Sequence, residues 1–159
     1  MRNARPARQV ILGLLMLVLF TDALASGGQV RQGELSYPEI VWRWKALLAD
    51  DVTLLDGMLT NGRPTLLAFI DKSCGSCLSM VPVMEEVRRE YSSSVNIMTV
   101  DNERQDMPVR RLVTEYQVWA VPMFVIFDRQ GRIYRKLYGP QAKKRVRGLL
   151  GRVLGTQAP

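Results

Sequence analysis

Apolar residues recur along the chain in two rhythms, and together they predict most of its elements. Ser36-Tyr37-Pro38-Glu39 is a helix start: Ser36 is placed to cap, Glu39 completes a capping box, and Pro38 suits a first turn. Ile40, Val41, Trp44, Leu47 and Leu48 then return at helical spacing, with Trp42 off the stripe. After the turn signal Asn61-Gly62-Arg63-Pro64, Thr65–Ile70 is a continuous apolar run, the pattern of a strand buried on both faces. Met80, Val81, Met84, Val87 and Tyr91 alternate with charged residues and predict one amphipathic helix over 78–91, kinked at Pro82. Residues 95–100 read as a strand, 106–116 as a helix with Pro108 in its first turn, and Met123–Phe127 as a second buried strand. Asp128-Arg129-Gln130-Gly131 is a hairpin turn into a strand over 132–137. Past Gly139-Pro140, a last helix carries Val146, Leu149, Leu150, Val153 and Leu154 on one face. Helix, strand, helix, strand, helix, strand, strand, helix is the order of an α/β domain. It implies a central mixed sheet, helices on both faces, and a C-terminal β-hairpin and helix.

The first 25 residues follow a different logic. Arg2, Arg5 and Arg8 precede an apolar stretch over 10–20, and Ala23-Leu24-Ala25 fits a small-x-small cleavage site. This is the pattern of a secretory signal over 1–25. Asp22 ends the apolar run early, which favours cleavage over retention of 10–20 as an inner-membrane anchor. A Gly-rich polar leader over 26–35 then joins a domain over 36–155. The expected location is therefore exported and periplasmic.

Composition narrows the chemistry. The net charge is +7, and nine Lys/Arg against the single acid Asp128 fall between 128 and 152. Such a tail reads as a solvated basic helix face, or as a surface for an acidic partner or for peripheral contact with anionic lipid; nucleic acid is not expected as a partner. Histidine is absent, so no imidazole serves as general base, nucleophile partner or metal ligand. With two cysteines the only soft ligands, no metal site is expected.

Those cysteines form Cys74-Gly75-Ser76-Cys77, directly after a buried strand and at the start of a helix. A thiol at a helix N-terminus feels the positive end of the macrodipole and free N–H groups, and its pKa falls below about 8.5. Cys74 is thus the expected attacking sulfur, with Ser73, Gly75, Ser76 and the cation of Lys72 as its tuning neighbours. Cys77, one turn further in, is the shielded partner that resolves a mixed disulfide. A two-residue spacer closes too short a loop for a useful staple, and a second C-x-x-C or a following His, needed for zinc or haem, is missing. No cofactor is called for beyond a redox-active Cys74–Cys77 disulfide.

At this point the chain resembles the thioredoxin superfamily over roughly residues 37–154. The markers are strand Thr65–Ile70, Ser73-Cys74-Gly75-Ser76-Cys77, Pro82 five residues after the second cysteine, and Val121-Pro122 heading strand Met123–Phe127. The resemblance implies a thioredoxin-like fold and thiol–disulfide exchange with partner proteins. It also implies a cis Val121-Pro122 bond facing the cysteines, with Val121 offering its backbone to substrate. Three positions depart from the family pattern. Ser73 replaces a Trp, Ser76 replaces a Pro, and Ala68 replaces a buried acid that helps deprotonate the second cysteine, a task that would fall to water, Asp71 or Glu103. With export, these departures point to a dedicated periplasmic reductase fed by a membrane or periplasmic electron donor. The competing reading is a binding or chaperone module with an inert disulfide, its contact surface drawn from Trp42, Trp119, Met80, Met84, Met98, Met107, Met123 and the basic tail.

Overall fold

The computed structural model describes residues 36–155; the predicted signal over 1–25 and leader over 26–35 lie outside them. The elements run α1 (Tyr37–Leu47), a 3₁₀ turn (Val52–Leu54), α2 (Leu55–Thr60), β1 (Thr65–Ile70), α3 (Gly75–Leu78), α4 (Val81–Tyr91), β2 (Asn96–Asp101), α5 (Met107–Tyr116), β3 (Met123–Phe127), β4 (Ile133–Tyr138) and α6 (Lys143–Leu154). The sheet order is β2-β1-β3-β4. β1 pairs parallel with β2 from Thr65↔Asn96 to Ile70↔Asp101, and antiparallel with β3, where Ala68 lies opposite Phe124. β4 returns antiparallel to β3, with a register shift at Ile126/Phe127, so that β2 and β4 are the two edges of the sheet among the described residues.

Both central strands are buried along their whole length, which is why their sequences are apolar without alternation. Strand pleating still sorts the side chains. Leu66, Ala68, Ile70, Phe124 and Ile126 face a core built with Trp44, Leu47, Met84, Val87, Val146 and Leu150 from α1, α4 and α6. Leu67, Phe69, Val125 and Phe127 face the opposite core with Val52, Leu55, Val109, Leu112 and Tyr116. Each Val, Leu, Ile, Phe or Met among them stabilises the fold by about 1.5–3 kcal/mol on burial.

Several expectations change. The helix predicted over 78–91 is two helices: α3 ends at Leu78, and α4 starts at Val81 with Pro82 in its first turn, where a missing N–H costs nothing. The proline therefore begins a helix and does not kink one. Ser36 occupies the N-cap position of α1, but its side chain makes no capping hydrogen bond. By contrast, Asp106 caps α5 by accepting from the Val109 N–H at 3.1 Å. The 3₁₀ turn and α2 are additional elements. Gly131 closes the β3–β4 hairpin with φ +71°, and a Cβ there would sit 2.5 Å from the Leu59 carbonyl oxygen, so only glycine fits. Four of the five methionines proposed as contact surface are buried, and only Met107 is exposed. Trp42 and Trp119 are both exposed.

Candidate active site

β1 ends at Ile70, and residues 71–74 lead from it into α3. The Asp71 carboxylate accepts from the Ser73 N–H at 2.7 Å and from its hydroxyl at 2.6 Å, an Asx turn that sets the approach to the cysteines. Cys74 is the N-cap of α3: its backbone is extended, and its sulfur accepts from the Cys77 N–H at 3.3 Å. The same N–H also donates to the Cys74 carbonyl at 2.9 Å, so this donor of the helix start is shared between the backbone and the thiol. The Ser76 hydroxyl lies 3.1 Å from the same sulfur. Across the site, the Cys74 thiol lies 3.7 Å from the Val121 carbonyl oxygen, and the Val121-Pro122 bond is cis.

The two thiols occupy opposite environments. Partial burial pushes the Cys74 pKa up, but hydrogen bonds from the Cys77 and Ser76 side chains and from both backbone N–H groups outweigh it, leaving the pKa below the ordinary value. Cys77 is fully buried. Burial, and then its hydrogen bond to Cys74, push its pKa up to about 12. The two sulfurs are hydrogen-bonded to each other, which favours the charged form of Cys74 and the protonated form of Cys77, so the two titrate as a coupled pair. Both cysteines are free thiols here.

Other predicted tuning residues are placed differently. Lys72 pairs with Glu103 at 2.9 Å and not with Cys74. Its cation is spent across the turn, because the β1–α3 and β2–α5 loops lie side by side at the end of the parallel strand pair. The Glu103 carboxylate is held by that pair and the Asp71 carboxylate by Ser73. Asp101 shares this corner, and the backbone N–H of Glu103, two residues on, donates to its carboxylate at 2.9 Å; burial raises its pKa. Gly75 opens α3, and a Cβ there would meet nothing within 4 Å, so its role is not to make room for the cysteines. At Ala68 the side chain is fully buried between the Phe124 and Thr99 pairing positions, with no carboxylate in that place.

An aromatic pair flanks the site. Trp119 stacks on Tyr138 with ring centroids 4.5 Å apart, and both are exposed. Tyr138 is brought there by the β3–β4 pairing, continued by the Gly139 N–H donating to the Pro122 carbonyl at 2.8 Å. Sequence reading singled out Trp119 but not Tyr138; the signal was a tyrosine ending a hairpin strand just before Gly139-Pro140. Among the described residues, no group of three or more His, Cys, Asp or Glu is arranged to hold a metal ion.

Comparisons with known proteins bear on this geometry. A thiol:disulfide interchange protein TxlA homolog from Synechocystis is 38% identical over 85 residues, covering 52% of this chain and 45% of that protein. A thioredoxin from Pyropia yezoensis is 28% identical over 83 residues, covering 52% of this chain and 74% of that one. The chain spans about half the length or less of several curated relatives it matches, such as a chloroplastic thioredoxin X from Arabidopsis thaliana, of which 36% is covered. Among solved structures, a mutant thioredoxin from Halobacterium salinarum NRC-1 superposes with a TM-score of 0.58 at 22% identity, over 68% of this chain and 89% of that one, which shows the fold. The thioredoxin family model matches residues 51–150, a span that holds β1, the cysteine pair, the cis bond and the β3–β4 hairpin in order. The chain belongs to the thioredoxin family.

Proposed function

We propose that this protein is a thiol–disulfide oxidoreductase acting on partner proteins outside the cytoplasm, and that it works as a dedicated reductase. The observation that carries the chemistry is the asymmetry of the pair: a half-exposed Cys74 with a lowered pKa beside a buried Cys77 pushed up to about 12. The names of the TxlA-type and thioredoxin relatives support the same chemistry. The Arg-led apolar stretch over 10–20 and the Ala23-Leu24-Ala25 site support export.

In the reducing direction the Cys74 thiolate attacks one sulfur of a substrate disulfide. A Cys74–substrate S–S bond forms, the substrate S–S bond breaks, and the leaving thiolate takes up a proton. Cys77 then loses its proton and attacks the Cys74 sulfur. The Cys74–Cys77 bond forms, the second substrate thiolate leaves, and two electrons have passed to the substrate. The Val121 carbonyl, beside the Cys74 sulfur, is placed to receive a backbone N–H of the bound chain. An electron donor in the membrane or periplasm restores the dithiol.

Ser76 tests the first half of this account. A hydrogen bond to a charged acceptor contributes about 1.5–3 kcal/mol, reduced to about 1 kcal/mol at a solvent-accessible sulfur. Ser76→Ala is expected to raise the Cys74 pKa by about 0.5–1 unit, since 1.36 kcal/mol corresponds to one unit. The sign follows from the state stabilised: losing a donor to the thiolate favours the thiol, so the curve moves to higher pH. The pH dependence of Cys74 alkylation by iodoacetamide measures it directly. An unmoved midpoint would show that Ser76 does not hold the thiolate, and a wild-type midpoint at or above that of a free cysteine would remove the proposed nucleophile.

A further inference from the structure

A concave groove of about 1250 Å³ lies between the edge strand β4 and α6. Among the described residues no carboxylate lines it, while Arg135, Lys144, Arg145 and Arg152 do. Two further cations of α6 are neutralised on the side toward α4: Lys143 pairs with Glu86 and Arg147 with Glu90 at 3.0 Å. The other four have no side-chain ion-pair or hydrogen-bond partner among the described residues. Four like charges gathered over an apolar floor repel one another, and low-dielectric walls concentrate their field. That arrangement costs stability unless an anion fills it.

Two more features specify the occupant's shape. β4 is an edge strand with no outer partner among the described residues, and consecutive residues Arg135, Lys136 and Leu137 line the groove, so a strand edge runs along it. On the opposite wall, Gly148 sits inside α6, where glycine is less favourable than alanine by about 1 kcal/mol. A Cβ at Gly148 would meet nothing within 4 Å, so packing gives no reason for it, and its effect is to leave that wall bare. A concavity beside an open strand edge suits an extended chain better than a flat surface.

We propose that the groove between β4 and α6 docks an extended, Asp/Glu-rich segment of a partner protein. The edge strand supplies main-chain pairing, and the four unpaired cations supply the preference for acidic side chains. Neither cysteine lines this groove, and its test reads binding alone, so it does not rest on the redox reading.

The probe is a fluorescently labelled Glu-rich peptide, with its Gln-substituted counterpart as control, titrated against the full chain and read by anisotropy at low and raised salt. Expected is binding of the Glu peptide that weakens as salt rises, with none for the Gln peptide. Arg145→Glu, and separately Gly148→Glu, should weaken it by about tenfold or more. Arg110→Glu makes the same charge change as Arg145→Glu on the exposed side of α5 and should change it by less than about threefold. Unchanged thermal melting of each variant shows that the fold is retained. The proposal is overturned if the Glu peptide does not bind at low salt, or if Arg145→Glu and Arg110→Glu weaken it equally. It is also overturned if phosphatidylglycerol vesicles bind through these residues while the peptide does not, which would assign the surface to a membrane.

Discussion

Cys77→Ser is expected to turn the protein into a covalent trap. In the proposed cycle Cys74 can still attack a substrate disulfide, but nothing remains to attack the resulting mixed disulfide, so the complex persists until an external thiol releases it. Turnover should fall by at least about a thousandfold, while the first attack on a disulfide probe keeps its rate within a few fold. Cys74→Ser should lose turnover to the same extent and trap nothing. The pair of outcomes follows from burial: Cys77 is fully inaccessible and Cys74 is not. Non-reducing gels of both variants with a disulfide-bonded protein, followed by dithiothreitol treatment, check it. A trap formed by Cys74→Ser and not by Cys77→Ser would reverse the roles of the two sulfurs.

Phe124→Ala is expected to have the largest effect on stability among single truncations near the site. Phe124 is fully buried at the centre of β3, against Ala68 of β1, with Leu137 paired across on β4. Removing its ring forfeits the transfer free energy and leaves a cavity that sheet neighbours cannot close, a loss of about 3–5 kcal/mol. Native domains hold only about 5–15 kcal/mol in total, so the variant should melt some 10–20 °C lower. Trp42→Ala is the contrast: with 70% of its surface exposed, its loss should shift the melting temperature by less than about 3 °C. Urea unfolding followed by circular dichroism separates the two cases. Equal losses would mean that the two-sided core is not what holds the sheet together.

Where sequence and structure part company, the causes are physical. β1 and β3 were legible because a strand buried on both faces is almost wholly apolar, the one polar residue, Thr65, donating its hydroxyl to the Met58 carbonyl. The break between α3 and α4 was hidden because Met80, Val81, Met84 and Val87 keep a helical period straight across Ser79-Met80, while the backbone restarts at Val81 with Pro82 in its first turn. α2 escaped because six residues containing Gly57 are too short to show a period. The position of the cysteines at a helix start was plain from Thr65–Ile70 followed by a turn and an amphipathic run. The partner of Lys72 was not, since Glu103 reaches it only through the parallel pairing of β1 with β2. The basic excess near the C-terminus was visible as composition. Its gathering into a groove depends on β4 being an edge strand and on Glu86 and Glu90 neutralising one side of α6 only.

The measurement that bears most directly on the central claim is the reduction potential of the Cys74–Cys77 pair in glutathione and dithiothreitol buffers, with alkylation used to count free thiols. The account predicts a reversible two-electron titration within the span of thioredoxin-like folds, about −270 to −120 mV, toward its reducing end, with Cys74 alone alkylated in the native dithiol. A pair that stays a disulfide across the whole range, or whose thiols both resist alkylation when reduced, would contradict it and leave a thioredoxin fold used for binding.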